Sequence, residues 1–543
     1  MNGEGQGLDQ LASLLEKAGP EFRYPPTRDA RAAVRERLEE EAQRGRLTRW
    51  VPKWRRRWLI AVPAIPLLIA LLVWAYATYL SEPTAPVIVS IAAAPGGGFV
   101  APAVWAVNLD ANTMTRLAPD GEELDTFDVG TGLDLVGVAL TEEAEAPLAG
   151  VYVHGNYAFV GGMSTGYKTD ANLGIRILDL SDPASPELVG RIPLRSRSLD
   201  ESHSHGDAVA THVETDAFQG DIAIVISGVP DTYVPKEYPH PYGIWDVTDP
   251  SKPQLLSVLN LGKSSHKEEG DLGDKPHDLK AVSGHYFFTL YANAEKPIHC
   301  LQPDSRGQRA SDCPPLDDHM AVVDLSDPRN PIVVGDWHDS GLEGSLRGLS
   351  LNNAGTRAYV VSIGPPPFGT AGKEVILYIL DIRDRTRPFE IARYVYPYPG
   401  PWVHSPYAVP NDDDSLVILA DGRWQNNSDG CSGHGRLHFL DISDLSAIRE
   451  LSTFKIAESD TCFTKGDAPF YQATDIAVKG DLIYSTWLKG GLHVIDISDP
   501  SNPVEVGEFR SPDKEGPWLS DVALYGDFVV ASTVWWSGMY ILR

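Results

Sequence analysis

One repeated segment constrains the fold of this chain more than any other feature of the sequence. Each copy begins with a short alternating apolar run, continues with Asp, Ser or Thr, Asp and, in most copies, Pro, and ends with a second apolar run. The alternating run predicts a strand and the central residues predict a turn, because Asp accepts hydrogen bonds from nearby backbone N–H groups and Pro cannot continue a ladder. The six copies occupy residues 174–190, 243–257, 320–335, 377–392, 437–451 and 491–507.

Another pair of predicted strands precedes each copy, for example at residues 475–487 and 521–533. Four strands per repeat are typical of β-propeller blades, in which no blade buries both of its faces alone. The last repeat stops at residue 543 and lacks an outer strand. We expect the hairpin predicted at 113–130, with its Asp-Gly turn, to supply that strand. The sequence therefore predicts an all-β, seven-bladed β-propeller, with eight blades as the alternative because residues 86–110 could form further strands.

The repeated segment resembles the LVIVD repeat of bacterial exported and cell-surface β-propellers. The resemblance covers about residues 149–543; it implies the propeller fold and says little about activity. Two copies depart from the pattern, since Arg383-Asp384-Arg385 replaces Ser-Asp-Pro in one and Leu445 replaces Pro in another. We therefore expect an altered turn in those two blades.

A second resemblance points toward enzymes. Residues 474–507 look like a blade of selenium-binding protein, a propeller family that is similar to methanethiol oxidases and has metal-binding histidines. This chain has no cysteine that matches the reactive one of that family. The resemblance therefore implies a metal-dependent enzyme only as an alternative, and it assigns no ligands here.

An uncharged run at Trp58–Leu80 is long enough to cross a membrane as a helix, which takes about 20 apolar residues. Residues 1–57 carry 13 basic and 9 acidic side chains, and basic flanks remain in the cytoplasm. The sequence predicts a cytoplasmic helical stub at 1–57, one transmembrane helix at 58–80, a linker at 81–98 and an exported propeller at 99–543. The protein is therefore expected in the cell membrane, with the propeller extracellular or periplasmic.

Charge and cysteine content fit this topology. The formal net charge of −28 argues against nucleic acid as a partner, because binding to phosphates needs a basic surface.

All four cysteines lie on the predicted exported side, where an even number indicates two disulfides. Three pairings are possible, and pairing of sequence neighbours is preferred. The cysteines are Cys300, Cys313, Cys431 and Cys462.

A propeller commonly binds ligands at the mouth of its central funnel, where the loops before the inner strands meet. Three histidines in these loops, His205, His277 and His404, are candidate ligands of a divalent metal, because imidazole with carboxylate suits zinc, copper or iron. The other candidates for contact with a ligand are Asp278, Arg347, Trp402, Asp475, Trp518 and Asp521.

The same residues have structural interpretations. Asp475 and Asp521 occupy equivalent repeat positions, and an Asp at the start of a blade often anchors a loop by accepting backbone N–H bonds. Trp402 and Trp518 both follow Gly-Pro, which is typical here of packing residues. The histidines serve equally well as structural hydrogen-bonding groups.

We predict a non-catalytic binding or scaffold module at the cell surface, with a protein or small-molecule ligand on the funnel face. One alternative is a metal-dependent enzyme with a His/Asp site at the funnel and a divalent metal as cofactor. Another is a transmembrane sensor that signals to a cytoplasmic partner of residues 1–57. Sequence motifs of serine hydrolases, zinc proteases, P-loop proteins and EF-hands are absent from the chain.

Overall fold

The computed structural model describes parts of the chain between residues 104 and 543. The predicted stub, membrane segment and linker lie outside the described residues. Within those residues, no helix combines the length and the apolar character that crossing a membrane requires. The described ranges are 104–108, 113–117, 123–128, 130–140, 148–162, 174–193, 208–226, 242–261, 280–292, 318–339, 345–363, 374–397, 407–421, 435–460, 471–510, 518–534 and 538–543.

Five strands precede the first blade: β1 (Val104–Asn108), β2 (Thr113–Leu117), β3 (Glu123–Asp128), β4 (Gly130–Thr131) and β5 (Leu135–Leu140). The strands β1, β2 and β3 form an antiparallel sheet of their own. The two short strands after them join the last two blades of the propeller.

The next sixteen strands of the described chain form blades 1 to 4, four antiparallel strands to a blade in chain order. They are β6 (Leu148–His154), β7 (Tyr157–Gly162), β8 (Gly174–Asp179) and β9 (Glu187–Pro193); β10 (Ala208–Glu214), β11 (Gln219–Ile226), β12 (Tyr242–Asp246) and β13 (Gln254–Leu259); β14 (Lys280–Ser283), β15 (Tyr286–Ala292), β16 (Asp318–Asp324) and β17 (Ile332–Trp337); β18 (Ser345–Leu351), β19 (Arg357–Ile363), β20 (Glu374–Asp381) and β21 (Phe389–Pro397).

Blades 5 to 7 complete the ring, with β4 added to the edge of blade 6 and β5 as the outer strand of blade 7. A 3₁₀ helix at Ala457–Asp460 follows blade 5. The strands are β22 (Tyr407–Pro410), β23 (Leu416–Ala420), β24 (Leu437–Asp441) and β25 (Arg449–Phe454); β26 (Asp475–Lys479), β27 (Leu482–Thr486), β28 (Leu492–Asp496) and β29 (Val504–Phe509); β30 (Trp518–Tyr525), β31 (Phe528–Val534) and β32 (Gly538–Leu542).

The ring is closed, as the seven-bladed prediction requires. The first strand of each blade contacts the first strand of the next, and β30 contacts β6. Seven clusters of buried apolar side chains lie one between each pair of neighbouring blades. Each apolar core is therefore formed by two neighbouring blades, which explains why the blades pack into one ring and are not expected to be stable alone.

The closing strand differs from the expected one. The outer strand of blade 7 is β5, which pairs with β32 from Leu135 opposite Leu542 to Leu140 opposite Gly538. Residues 113–130 were expected in this place; they contain the predicted hairpin, β2 with β3, but in the separate sheet. That part of the prediction was wrong, and the residue needed at the centre of an outer strand explains why.

Each outer strand needs a small residue at its centre. A Cβ on Gly190 would overlap the carbonyl oxygen of Pro250, in the Asp-rich turn of the next blade. A Cβ on Gly335 or on Gly137 would likewise overlap a backbone carbonyl oxygen in the Asp-rich turn of the next blade. In blade 5 the position holds Ser452, whose hydroxyl donates to the Pro500 carbonyl at 2.6 Å. Because β5 has Gly137 at this point and the strands of 113–130 have no glycine there, β5 fits the edge of blade 7.

The Asp-rich turn keeps one geometry in all six copies. The first Asp accepts a hydrogen bond from the backbone N–H two residues later, and so does the second Asp. The copies with Arg385 and Leu445 in place of Pro retain both bonds, at 3.0 Å for Asp384 and 3.0 Å for Asp444. The expectation of altered turns was therefore wrong, because the two carboxylates and not the proline hold the turn.

Candidate functional site

The ring has two faces with different connections. Neighbouring strands are antiparallel, so the first and third strands of a blade begin on the face where the second and fourth strands end. On that face β15 ends at Ala292 and the next strand, β16, begins at Asp318; likewise β13 ends at Leu259 and β14 begins at Lys280. On the opposite face Gly284 and His285 suffice to connect β14 to β15. We call these the long-loop face and the tight-turn face.

On the tight-turn face, hydrogen bonds join each blade to the next. They involve turn residues and the residues beside them, and they occur at all seven junctions of the described ring. The bonds are Tyr525 to Asn156 (3.2 Å), His154 to Asp221 (3.1 Å), Thr211 to the Gly284 carbonyl (2.8 Å), Arg385 to Ser283 (3.5 Å), Arg357 to Asp414 (2.8 Å), the Gly480 N–H to Asp412 (2.7 Å) and Lys479 to the Gly526 carbonyl (2.6 Å).

On the long-loop face, two predicted site residues link the inner strands. Asp475 Oδ2 accepts from the Val522 N–H of the next blade at 2.9 Å, and its Oδ1 accepts from Ile476 N–H at 2.9 Å. Asp521 Oδ2 accepts from the Val151 N–H of blade 1 at 2.8 Å. Both side chains are buried. This geometry fits the structural interpretation of these aspartates, and their contact with a ligand stays a prediction.

Two other predicted residues have defined places near the inner strands. Trp518 begins β30, and the ammonium of Lys489, from the turn between β27 and β28, lies 5.2 Å from the centre of its ring. Arg347 is buried at a bulge in β18 of blade 4. Trp518 thus shares β30 of blade 7 with Asp521, whereas Arg347 lies in a blade that does not adjoin theirs.

The remaining candidates lie outside the described residues, as do all four cysteines. Their convergence and the disulfide pairing therefore stay predictions. These candidates are His205, His277, Asp278, Trp402 and His404.

Three further histidines lie at the starts of third strands, on the long-loop face, and the sequence analysis did not select them. The Nδ1 of each donates a short hydrogen bond to a carboxylate of the adjacent outer strand. The pairs are His319 with Asp336 (2.8 Å), His438 with Glu450 (2.7 Å) and His493 with Glu505 (2.7 Å).

The pairs in blades 5 and 6 are equivalent. His438 and His493 each precede the first Asp of the repeated segment by three residues, in Leu-His-x-x-Asp. Burial opposes the charged form of His438, but Asp421 and Glu450 on either side of the ring outweigh it and raise its pKa. The hydrogen bond from His493 lowers the pKa of Glu505. The repeat of Leu-His-x-x-Asp was the signal that sequence reasoning overlooked.

Comparison with known proteins places two of the blades in a family. The model of the LVIVD repeat matches residues 149–193 and 472–511, which span blade 1 and blade 6. The chain carries LVIVD repeats. The resemblance stated from the repeated segment is thus confirmed, and the matched LVIVD repeats each contain both aspartates of the turn.

No curated protein sequence matches the chain. Among solved structures, the β-propeller domain of Cps50 (Swd1) from Myceliophteria thermophila is similar to it, with 10% sequence identity and a TM-score of 0.40. The similarity covers 74% of this chain and 98% of that domain.

Proposed function

We propose that this protein is a single-pass membrane protein that holds its LVIVD-repeat propeller outside the cell as a non-catalytic binding or scaffold module. We place the binding side on the long-loop face. The observation that supports this is a difference between the faces in how far apart successive strand ends are in sequence: on the tight-turn face only Gly284 and His285 separate β14 from β15, whereas on the other face β15 ends at Ala292 and β16 begins at Asp318. Long loops on a rigid scaffold are where proteins usually bind their partners.

The overall charge narrows the class of partner. A formal net charge of −28 favours cationic or neutral partners and keeps the domain soluble. On the long-loop face, the one described cation–aromatic pair near the inner strands is Lys489 with Trp518. An aromatic ring beside an amine offers a flat apolar surface with a polar edge, which suits a protein or small-molecule ligand.

Photo-crosslinking from each face tests the binding side. A photoreactive phenylalanine at Lys489 of the full chain, in the membranes of the producing cell, is expected to give discrete adducts. The same group at Asp527, whose side chain is 79% exposed on the tight-turn face, is the matched control and is expected to give none. Adducts from position 527 alone would contradict the proposal.

The membrane anchor rests on the sequence, namely the uncharged Trp58–Leu80 run and its basic flank. An amine reagent that does not cross membranes tests it in intact cells or spheroplasts that express the full chain. Lys252, 78% exposed on the tight-turn face, is expected to react at once, and Lys17 of the stub only after lysis. Equal reaction of both lysines before lysis would contradict an exported propeller.

The enzyme and sensor alternatives remain predictions. The enzyme would use the funnel histidines His205, His277 and His404 with a divalent metal, and the sensor would use a partner of residues 1–57. The predicted disulfides accompany export, and a mobility shift of the full chain on reduction tests them.

A further inference from the structure

One His/carboxylate group on the long-loop face differs from the others in having two imidazoles. His319 is the second residue of β16, and Asp336 and His338 lie at the end of β17 and just after it, at the rim of blade 3. One ligand atom from each of the three residues lies within 4.8 Å of the others. The rings of His319 and His338 are 4.6 Å apart between centres.

The carboxylate of Asp336 is oriented by a neighbour. Its Oδ1 lies 2.8 Å from His319 Nδ1 and 3.7 Å from His338 Nδ1. Its Oδ2 accepts a hydrogen bond from the Tyr291 hydroxyl at 2.7 Å. The tyrosine therefore holds the carboxylate with one oxygen turned toward both imidazoles, the arrangement in which a hydrogen-bonded ligand supports a metal.

The second convergent group does not offer the same site. His493, Glu505 and Glu508 also lie within 4.8 Å of one another. However, His493 is fully buried and its Nε2 lies 3.0 Å from the Gly490 carbonyl, while Glu508 accepts from Arg510 at 2.8 Å. The guanidinium of Arg510 therefore already neutralises a carboxylate that a metal ion would need. The group in blade 3 has no described arginine or lysine on Asp336.

We propose that His319, Asp336 and His338 bind a divalent transition-metal ion such as Zn²⁺. Two nitrogens and one carboxylate oxygen are ligands that zinc accepts at about 2.0–2.2 Å, which places tetrahedral ligand atoms about 3.3 Å apart. A small opening of the 2.8 Å His319–Asp336 pair and a small approach of His338, now 3.7 Å from Asp336, would therefore complete three bonds. His338 and Asp336 are 42% and 38% exposed, and the fourth position of the ion then faces solvent or a bound partner. The proposed site requires none of the predicted funnel histidines.

Metal titration of the full chain tests the site. The purified protein, with any affinity tag removed and metals stripped by a chelator, is titrated with Zn²⁺ against a fluorescent competitor, and Co²⁺ supplies visible absorption bands from nitrogen and oxygen ligands. We expect one Zn²⁺ per chain. His338→Ala and Asp336→Asn are each expected to weaken binding at least about tenfold, and Tyr291→Phe about tenfold through loss of the carboxylate's support.

Two controls make the result decisive. His212→Ala removes an exposed histidine that also lies 2.8 Å from an aspartate, Asp221, outside any convergent group of the described residues, and it is expected to bind Zn²⁺ as the unmodified chain does. A variant with His205, His277 and His404 changed to Ala is expected to keep its zinc. No zinc bound by the unmodified chain, equal binding by His338→Ala, or loss in either control would overturn the proposal.

Discussion

Both faces of the propeller use carboxylates to join neighbouring blades, but the two faces differ in the length of sequence between successive strands. On the tight-turn face, aspartates and asparagines of short turns bond to the neighbouring blade, as Asp414 does with Arg357 and Asp412 with the Gly480 N–H. On the long-loop face, Asp475 and Asp521 accept from backbone N–H groups of the next blade, and three carboxylates of outer strands pair with histidines: Asp336, Glu450 and Glu505. The difference shows that repeated carboxylates hold the ring together on both faces, while the sequence between successive strand ends is long on one face only, as from Ala292 to Asp318.

The largest effect is expected where an outer strand touches the next turn. Gly190→Ala places a Cβ against the Pro250 carbonyl, and the backbone shift that follows is expected to cost about 3 kcal/mol of unfolding free energy. Gly155→Ala is the matched control, because Gly155 has a φ of +57° and nothing within 4 Å of the new Cβ. Its expected cost is about 1 kcal/mol. Denaturant unfolding of both variants separates overlap from backbone strain; equal costs would show that close approach is not the cause.

A smaller loss is expected from the turn of blade 5. Asp414→Asn removes the charge that receives hydrogen bonds from Arg357 and Tyr359, and we expect a loss of about 2 kcal/mol. Asparagine tolerates the φ of 63° at this position, so the backbone is not strained. Asp413→Asn is the control, because Asp413 accepts hydrogen bonds from Ser415 of its own turn, and its expected loss is under about 1 kcal/mol. A thermal scan in which Asp413→Asn lowers the unfolding temperature more than Asp414→Asn would contradict the conclusion that Asp414 holds neighbouring blades together.

On the long-loop face, Asp521→Asn distinguishes a structural from a ligand-binding aspartate. The amide nitrogen cannot accept from a backbone N–H, so one bond to Val151 or Val522 is lost, at a cost of about 1–2 kcal/mol. Adducts from a crosslinker at position 489 are expected to persist. Unchanged unfolding together with loss of those adducts would instead assign Asp521 to the ligand.

The smallest effect is a pH dependence from His438. Its folded pKa is raised above the ordinary 6.5, so the charged ring stabilises the fold fully below pH 6.5, and this contribution is lost as the pH rises through the folded pKa. His438→Gln is expected to remove that dependence, and the difference in unfolding midpoint from the unmodified chain should shrink as the pH increases from 6. His212→Gln controls for loss of an exposed imidazole. A difference that grows with pH would contradict the raised pKa.

The fold could be predicted because each repeat carries its own turn. Two aspartates in every copy fix the corner between the third and outer strands, and alternation fixes the strands themselves. The outer strand of blade 7 was assigned to the wrong segment because an Asp-Gly turn predicts a hairpin but does not predict which sheet the hairpin belongs to. The signal that would have identified the closing strand is Gly137, at the centre of β5. Its role could not be predicted from the sequence, because the glycine is needed only where the turn of the next blade packs against it.

The site could be predicted only in part. Asp475 and Asp521 were found because they recur at equivalent positions, yet the partner N–H groups are far away in sequence. His319 and Asp336 are 17 positions apart, and a bulge in the register between β16 and β17 decides that they meet. Sequence spacing does not report such a bulge, so the group in blade 3 was not seen.

Acetylation of two lysines tests the central claim, that the long-loop face is the binding side, most directly. Lys489 lies on the long-loop face and Lys252 on the tight-turn face. The reaction of each with an acetylating reagent is compared, by mass spectrometry, between the full chain in native membranes and the purified full chain. We predict that Lys489 reacts more slowly in membranes than after purification, while Lys252 reacts equally in both. Protection of Lys252 with unchanged Lys489 would contradict the account.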